Sequence, residues 1–165
     1  MPPVLGFTHC PAFTEPPARL AVAAGVDEGA ELVVDGRGFS LQGYEEGFFV
    51  GPSLFDRVTP QMKSYQEEIF GPVLAMIPFD TEEEAIAIAN GTPYGLVAGV
   101  WTRDGARQFR VARGLKSGQV FINNYGAGGG VELPFGGSRQ SGYGREKGFE
   151  ALYGFTTLKT IAIKH

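Results

Sequence analysis

The sequence predicts an α/β fold: a largely parallel twisted sheet with flanking helices. Three observations carry this. From residue 73 onward, short apolar runs alternate with amphipathic, capped segments in the order strand, helix, strand, helix, strand. Short links between such elements favour parallel pairing through right-handed crossovers. The chain has 165 residues, 43% of them apolar and 19% charged, enough to bury about 70% of its unfolded surface as one domain. Its 25 glycines cluster between the apolar runs, which marks sharp connections.

Residues 1–17 are proline-punctuated and show no helical or strand period, so they read as an irregular arm. His9 and Cys10 lie here. A thiol beside an imidazole invites a nucleophile reading, but adjacent side chains in an extended segment point apart. Residues 18–26 read as a short helix closed at Gly29, residues 31–34 as a strand, and Asp35-Gly36 as a turn. A second turn is expected over residues 44–47, with Phe48-Phe49-Val50 as the next strand.

The stretch Tyr65-Gln66-Glu67-Glu68-Ile69-Phe70-Gly71-Pro72 organises the middle of the chain. Two carboxylates precede an aromatic ring, and a Gly-Pro turn feeds the apolar run of residues 73–79, which reads as a buried strand. Acidic and aromatic groups at the mouth of such a strand are placed where α/β proteins hold ligands. The plainer alternative is an acidic loop that enters a strand.

Thr81 and Glu84 form a helix-start pattern in which the threonine caps free amides and the glutamate reaches back. The acidic cluster of residues 80–84 is therefore read as capping rather than metal binding. Ala85, Ile86, Ile88 and Ala89 give one apolar face, and Gly91 closes the helix. Residues 97–101 read as a strand, Asp104 opens a second helix, and residues 119–123 read as a third strand. Arg107, Arg110 and Arg113 form a basic stripe on that helix, read as a solvated face in preference to a phosphate site. Gly126-Ala127-Gly128-Gly129-Gly130 follows a strand, but Val131 and Pro134 spoil the dinucleotide fingerprint and the helix it needs. It is expected to edge a pocket. Residues 145–153 read as a helix entered at Arg145-Glu146, and residues 155–163 alternate polar and apolar as a long strand.

A net charge of -4 and a pI near 5.2 argue against nucleic-acid and anionic-membrane partners. No apolar run reaches the length of a membrane span, and no basic n-region precedes an apolar core at the N-terminus. One cysteine cannot form an internal disulfide and fits a reducing, cytoplasmic setting. His9 and His165 are isolated, so no zinc site is expected, and no G-x-S-x-G elbow occurs.

Glu67-Glu68-Ile69-Phe70-Gly71-Pro72-Val73 resembles the EEIFGPV signature of the aldehyde dehydrogenase superfamily. Asn90-Gly91-Thr92-Pro93-Tyr94-Gly95-Leu96 resembles its N-x-x-x-YGL motif. Pro134-Phe135-Gly136-Gly137 with Ser141-Gly142-Tyr143-Gly144-Arg145-Glu146 resembles its PFGG…SG-x-GRE motif. Order and spacing agree from residue 18 to the C-terminus. Locally, residues 35–52 look most like the methylmalonate-semialdehyde branch, and the C-terminal third looks more like the general aldehyde-oxidising members.

The resemblance implies the C-terminal part of a catalytic domain over residues 18–153, with an oligomerisation strand over residues 154–165 that joins a neighbouring subunit's sheet and makes a homo-oligomer. It implies that Glu68 accepts hydrogen bonds from the nicotinamide-ribose hydroxyls, since a carboxylate takes two donors at once. Phe70 would lie beside the nicotinamide. Phe135 would wall the aldehyde pocket, or else be plain core. Glu146 would relay protons near the thiol, or else be a first-turn carboxylate favoured by the helix dipole. The cofactor implied is NAD or NADP in the full-length enzyme, with none held tightly by this chain alone. The family's nucleophilic cysteine has different flanks from Cys10 and would precede Met1, as would the general base and the nucleotide-binding domain. Alternatives are a non-catalytic assembly partner and a small-molecule binding module on the same fold.

Overall fold

Phe55, Val22 and Val58 are the most deeply buried side chains, and the first part of the chain is assembled around them. The computed structural model describes residues 17–45, 47–124 and 130–164. It divides into two units, Met1–Phe79 and Asp80–His165. Among the described residues, no helix is long and apolar enough to cross a membrane.

In the first unit, α1 (Pro17–Asp27) turns its Ala18, Val22 and Gly25 face inward. It ends at Gly29, whose φ of 93° suits a residue without a side chain. β1 (Glu31–Val34) pairs antiparallel with β2 (Ser53–Asp56), with an irregularity between Leu32 and Val34. β3 (Val73–Ala75) pairs parallel with β2 on its other side, giving the order β1-β2-β3. The central strand shows period-2 burial: Ser53 and Phe55 are buried, whereas Leu54 and Asp56 are partly exposed. The buried Ser53 hydroxyl is satisfied by the Gly36 amide at 3.0 Å. A single turn of helix, α2 (Lys63–Gln66), packs with α1.

Two expectations are corrected here. Residues 48–50 are not a strand; β2 begins three residues later. Pro52 has no amide to give a ladder, so pairing starts beyond it. Residues 73–79 are not a buried strand. Only Val73–Ala75 pair as a named strand, and they lie at the sheet's edge with Leu74 62% exposed.

In the second unit, α3 (Glu82–Asn90), β4 (Val97–Val100), α4 (Gly105–Gly114) and β5 (Gln119–Ile122) follow in order. β4 and β5 pair in parallel across α4, as the alternation implies. Thr81 caps α3 by accepting the Glu84 amide at 3.1 Å. The Glu84 carboxylate returns to the Asp80 amide at 2.8 Å, one residue before the expected partner. Gly91 ends α3 in a right-handed conformation. Asp104 caps α4 through the Ala106 and Arg107 amides.

The α/β arrangement is thus largely parallel, with β1–β2 the one antiparallel strand pairing, but the expectation of one sheet is corrected: among the described residues the strands form a three-stranded and a two-stranded sheet. A short 3-10 turn, η1 (Arg139–Ser141), comes earlier, and the helix expected from residue 145 is reduced to a single turn, α5 (Ala151–Gly154). Lys147 and Gly148 have φ of 60° and 61°, which helix geometry forbids. Residues 155–164 form no ladder with the other described residues, and Leu158 is 96% exposed. A strand's backbone groups need a partner strand, and none of the described residues supplies one.

Candidate functional site

The acidic-aromatic loop of the first unit is fixed by its backbone. The Glu67 amide closes α2 on the Lys63 carbonyl at 2.8 Å. Two tight turns follow, Gly71 N–H to Ile69 O at 2.7 Å and Val73 N–H to Gly71 O at 2.8 Å. The Ser53 amide then takes the Pro72 carbonyl at 2.9 Å, which joins the loop to the central strand. Gly71 lies so close to α1 that a Cβ there would stand 2.6 Å from that of Ala18. Held this way, the loop presents Glu68 on the surface and leaves the Phe70 ring 82% exposed. An aromatic ring this exposed on a rigid turn gains nothing from burial and offers apolar surface to a ligand.

In the second unit the two later sequence motifs, 90–96 and 134–146, converge. The Gly95 amide donates to the Ser141 hydroxyl at 3.0 Å, and its carbonyl accepts the Gly118 amide at 3.0 Å and the Ser138 amide at 2.9 Å. A side chain at Gly95 would collide with the Ser138 hydroxyl and the Lys116 carbonyl. Asn90 bridges the ends of α3 and α4, donating to Gly114 O and accepting from Lys116 N–H, each at 2.7 Å. Arg139 donates to the carbonyl of Asn90, which ends α3 without a helical partner, and to that of Thr92 just beyond it. Gln119, at the start of β5, donates to Pro134 O at 2.9 Å.

On this platform Phe135 and Glu146 face each other in an isolated antiparallel bridge. Arg145 braces it by donating to Gly137 O at 2.9 Å and Gly144 O at 2.6 Å. Glu146 is exposed and Phe135 half-buried. The reading of Glu146 as a helix first-turn carboxylate is overturned, because it lies in an extended bridge.

Elsewhere in this unit the arginine stripe is exposed, as expected of a solvated face, and two of its residues also form a clamp. Arg107 and Arg110 both grip Glu82, at 3.1 Å and 2.9 Å, and so tie α4 to α3. These hydrogen bonds, Arg110's first, hold the Glu82 carboxyl below the usual glutamate range. Among the described residues no group of three His, Cys, Asp or Glu could hold a metal. His9, Cys10, His165 and the expected pocket edge at 126–129 lie outside the described residues.

Sequence reasoning placed Asn90 in a motif without seeing its bridging role, and assigned no role to Ser138, Arg139 or Lys147. Asn90 carried a signal, since an amide side chain at a helix end often serves backbone groups. The others act through contacts made only in the folded chain.

The Aldehyde dehydrogenase family profile matches residues 18–161. The chain belongs to the aldehyde dehydrogenase family. This aldehyde dehydrogenase chain is 48% identical over 133 residues to the NADP/NAD-dependent aldehyde dehydrogenase PuuC of Escherichia coli, a match covering 81% of this chain and 26% of that one. A crystal structure from Burkholderia cenocepacia assigned to the aldehyde dehydrogenases shares 59% identity at a TM-score of 0.81, covering 90% of this chain and 31% of that one. The Mycobacterium tuberculosis aldehyde dehydrogenase complexed with NAD+ shares 44% identity at a TM-score of 0.78, covering 86% and 28%. The chain thus spans about a quarter of the length of the curated relatives it matches. Its relatives are NAD(P)-dependent enzymes acting on aldehydes.

Proposed function

We propose that this chain is the C-terminal part of the catalytic domain of an NAD(P)-dependent aldehyde dehydrogenase, and that it supplies half of the active site. The observation that carries the reading is the pinned loop that leaves Glu68 and the Phe70 ring at the surface. A carboxylate accepts both hydroxyls of a ribose diol, and an adjacent flat ring limits the swing of a nicotinamide and excludes water from one side. NAD(P)+, when bound, supplies the hydride acceptor.

The overall reaction is thiolate attack on the aldehyde, hydride loss and hydrolysis of the thioester. Phe135 walls the aldehyde, and Glu146 moves a proton at its carboxylate near the thiol. This chain does not itself supply the nucleophile or its base, and alone it is inactive and holds no cofactor tightly. A reducing, cytoplasmic setting keeps such a thiol free. Residues 35–52 and the C-terminal third resemble members with different substrates. Comparing kcat/KM for methylmalonate semialdehyde with that for an unbranched aldehyde separates the two.

The test is Glu68→Gln and Phe70→Ala in the complete enzyme. Each is expected to raise KM for the nicotinamide cofactor, Glu68→Gln by about tenfold, as for one charge-assisted hydrogen bond of about 1.5 kcal/mol. Unchanged cofactor KM in both variants refutes the reading. Aldehyde turnover by the pure chain, abolished by Cys10→Ala, would refute the missing-half assignment.

A second reading, an assembly role, is supported by residues 155–164. Leu158, Ile161 and Ile163 are exposed apolar groups on a stretch without a ladder, suited to adding a strand to a neighbouring copy. Deleting residues 155–165 should convert a homo-oligomer into monomers in sedimentation.

A further inference from the structure

We propose that Lys147 is a positioning residue for the Phe135 ring, and through it a determinant of which aldehydes the pocket wall accepts. This rests on the reading of Phe135 as that wall. The Lys147 ammonium stands 5.7 Å from the centroid of the Phe135 ring, within the range where the negative ring face attracts a cation. Both side chains are half-buried, so water screens the attraction only in part.

The backbone around the ring is already anchored from both sides. Phe135 and Glu146 are paired, Gly148 N–H donates to Val131 O at 2.8 Å, and Arg145 holds the carbonyls of Gly137 and Gly144. What these bonds leave unset is the torsion of the ring itself. Lys147 reaches it from a φ of 60°, a conformation costly for any residue with a Cβ. Glycine at 147 would avoid that cost, as it does at 148, where φ is 61°. The strained backbone is therefore tied to a side chain that does something glycine cannot. By covering one face, the ammonium fixes the ring's plane and leaves its other side to a substrate.

The contact is tested by NMR on the full chain. Lys147 ε-methylene protons are expected upfield of those of the other lysines, and Phe135→Leu should abolish the shift. Absence of the upfield shift overturns the proposal. Specificity is tested in the complete enzyme with benzaldehyde and acetaldehyde. Lys147→Met should raise KM for benzaldehyde about two- to fivefold, as expected of a partly exposed cation–π contact. It should leave kcat and the acetaldehyde KM unchanged, and Lys147→Arg should restore the benzaldehyde value. Lys147→Gly relieves the strained φ, so it should match Lys147→Met in KM while melting no lower than the parent. If Phe135→Leu moves KM but Lys147→Met does not, Lys147 has no positioning role and the wall stands. If Phe135→Leu also leaves KM unchanged, the wall reading fails and this inference falls with it.

Discussion

Phe135 and Glu146 exchange both of their backbone hydrogen bonds, Phe135 N–H to Glu146 O at 2.7 Å and Glu146 N–H to Phe135 O at 2.6 Å. Eleven residues apart in sequence, they form one rung, so the group proposed to wall the aldehyde and the group proposed to move a proton share a single support. Backbone pairing sets both Cα positions without using either side chain.

That division of labour separates chemistry from support at one position. Glu146→Gln keeps the amide and is expected to leave thermal stability unchanged. In the complete enzyme it should lower kcat about 100-fold, the lower range for loss of a general acid or base. Glu146→Pro removes the amide and leaves the Phe135 carbonyl short of a donor, costing about 1–3 kcal/mol. Urea unfolding of the two variants checks the contrast.

The first unit depends on one ring. Phe55 is fully buried and contacts the small core around Val22, Ala30 and Val58. Phe55→Ala should destabilise by about 3–5 kcal/mol, the usual range for emptying an aromatic core site. The shift in denaturation midpoint measures it.

The start of α3 offers a smaller and cleaner effect. Thr81→Ala removes the acceptor for the Glu84 amide and should cost about 1 kcal/mol. Thr81→Asn, which keeps a capping oxygen, should recover most of the loss in the same unfolding assay.

The Glu82 clamp makes a prediction about pH. The arginines hold its folded pKa below the unfolded value, so the stabilisation is fully present above the unfolded pKa. It fades as pH falls through the folded pKa, on the acid side of the ordinary glutamate range. Glu82→Gln should flatten the stability profile in that window and leave its shape near neutrality unchanged. Because both arginines are exposed, added salt should weaken the wild-type effect.

The capped helices and the parallel β4–β5 pair were legible because their signals are local: Thr81 and Asp104 before apolar periods, and two strands with a helix between them. Phe48-Phe49-Val50 misled because aromatic content resembles a strand, while the alternating burial that defines β2 begins only after Pro52. Glu146 was misplaced because the positive φ of Lys147 leaves no mark on a sequence. The Glu82 clamp joins residues 25 and 28 positions apart, beyond any window of periodicity. Glu68, Phe70 and Phe135 drew notice through motif resemblance rather than patterning. The structure adds how their backbones are held.

Arg139 sits on the surface with a φ of 57°, and its guanidinium closes the last carbonyl of α3, at Asn90, and that of Thr92 after it. The main chain there would favour glycine, whereas the helix end requires a long cation. Neither demand can be met without neglecting the other. Accessibility therefore misjudges this site: a saturation scan should find it among the least replaceable positions of the second unit, although water reaches it freely.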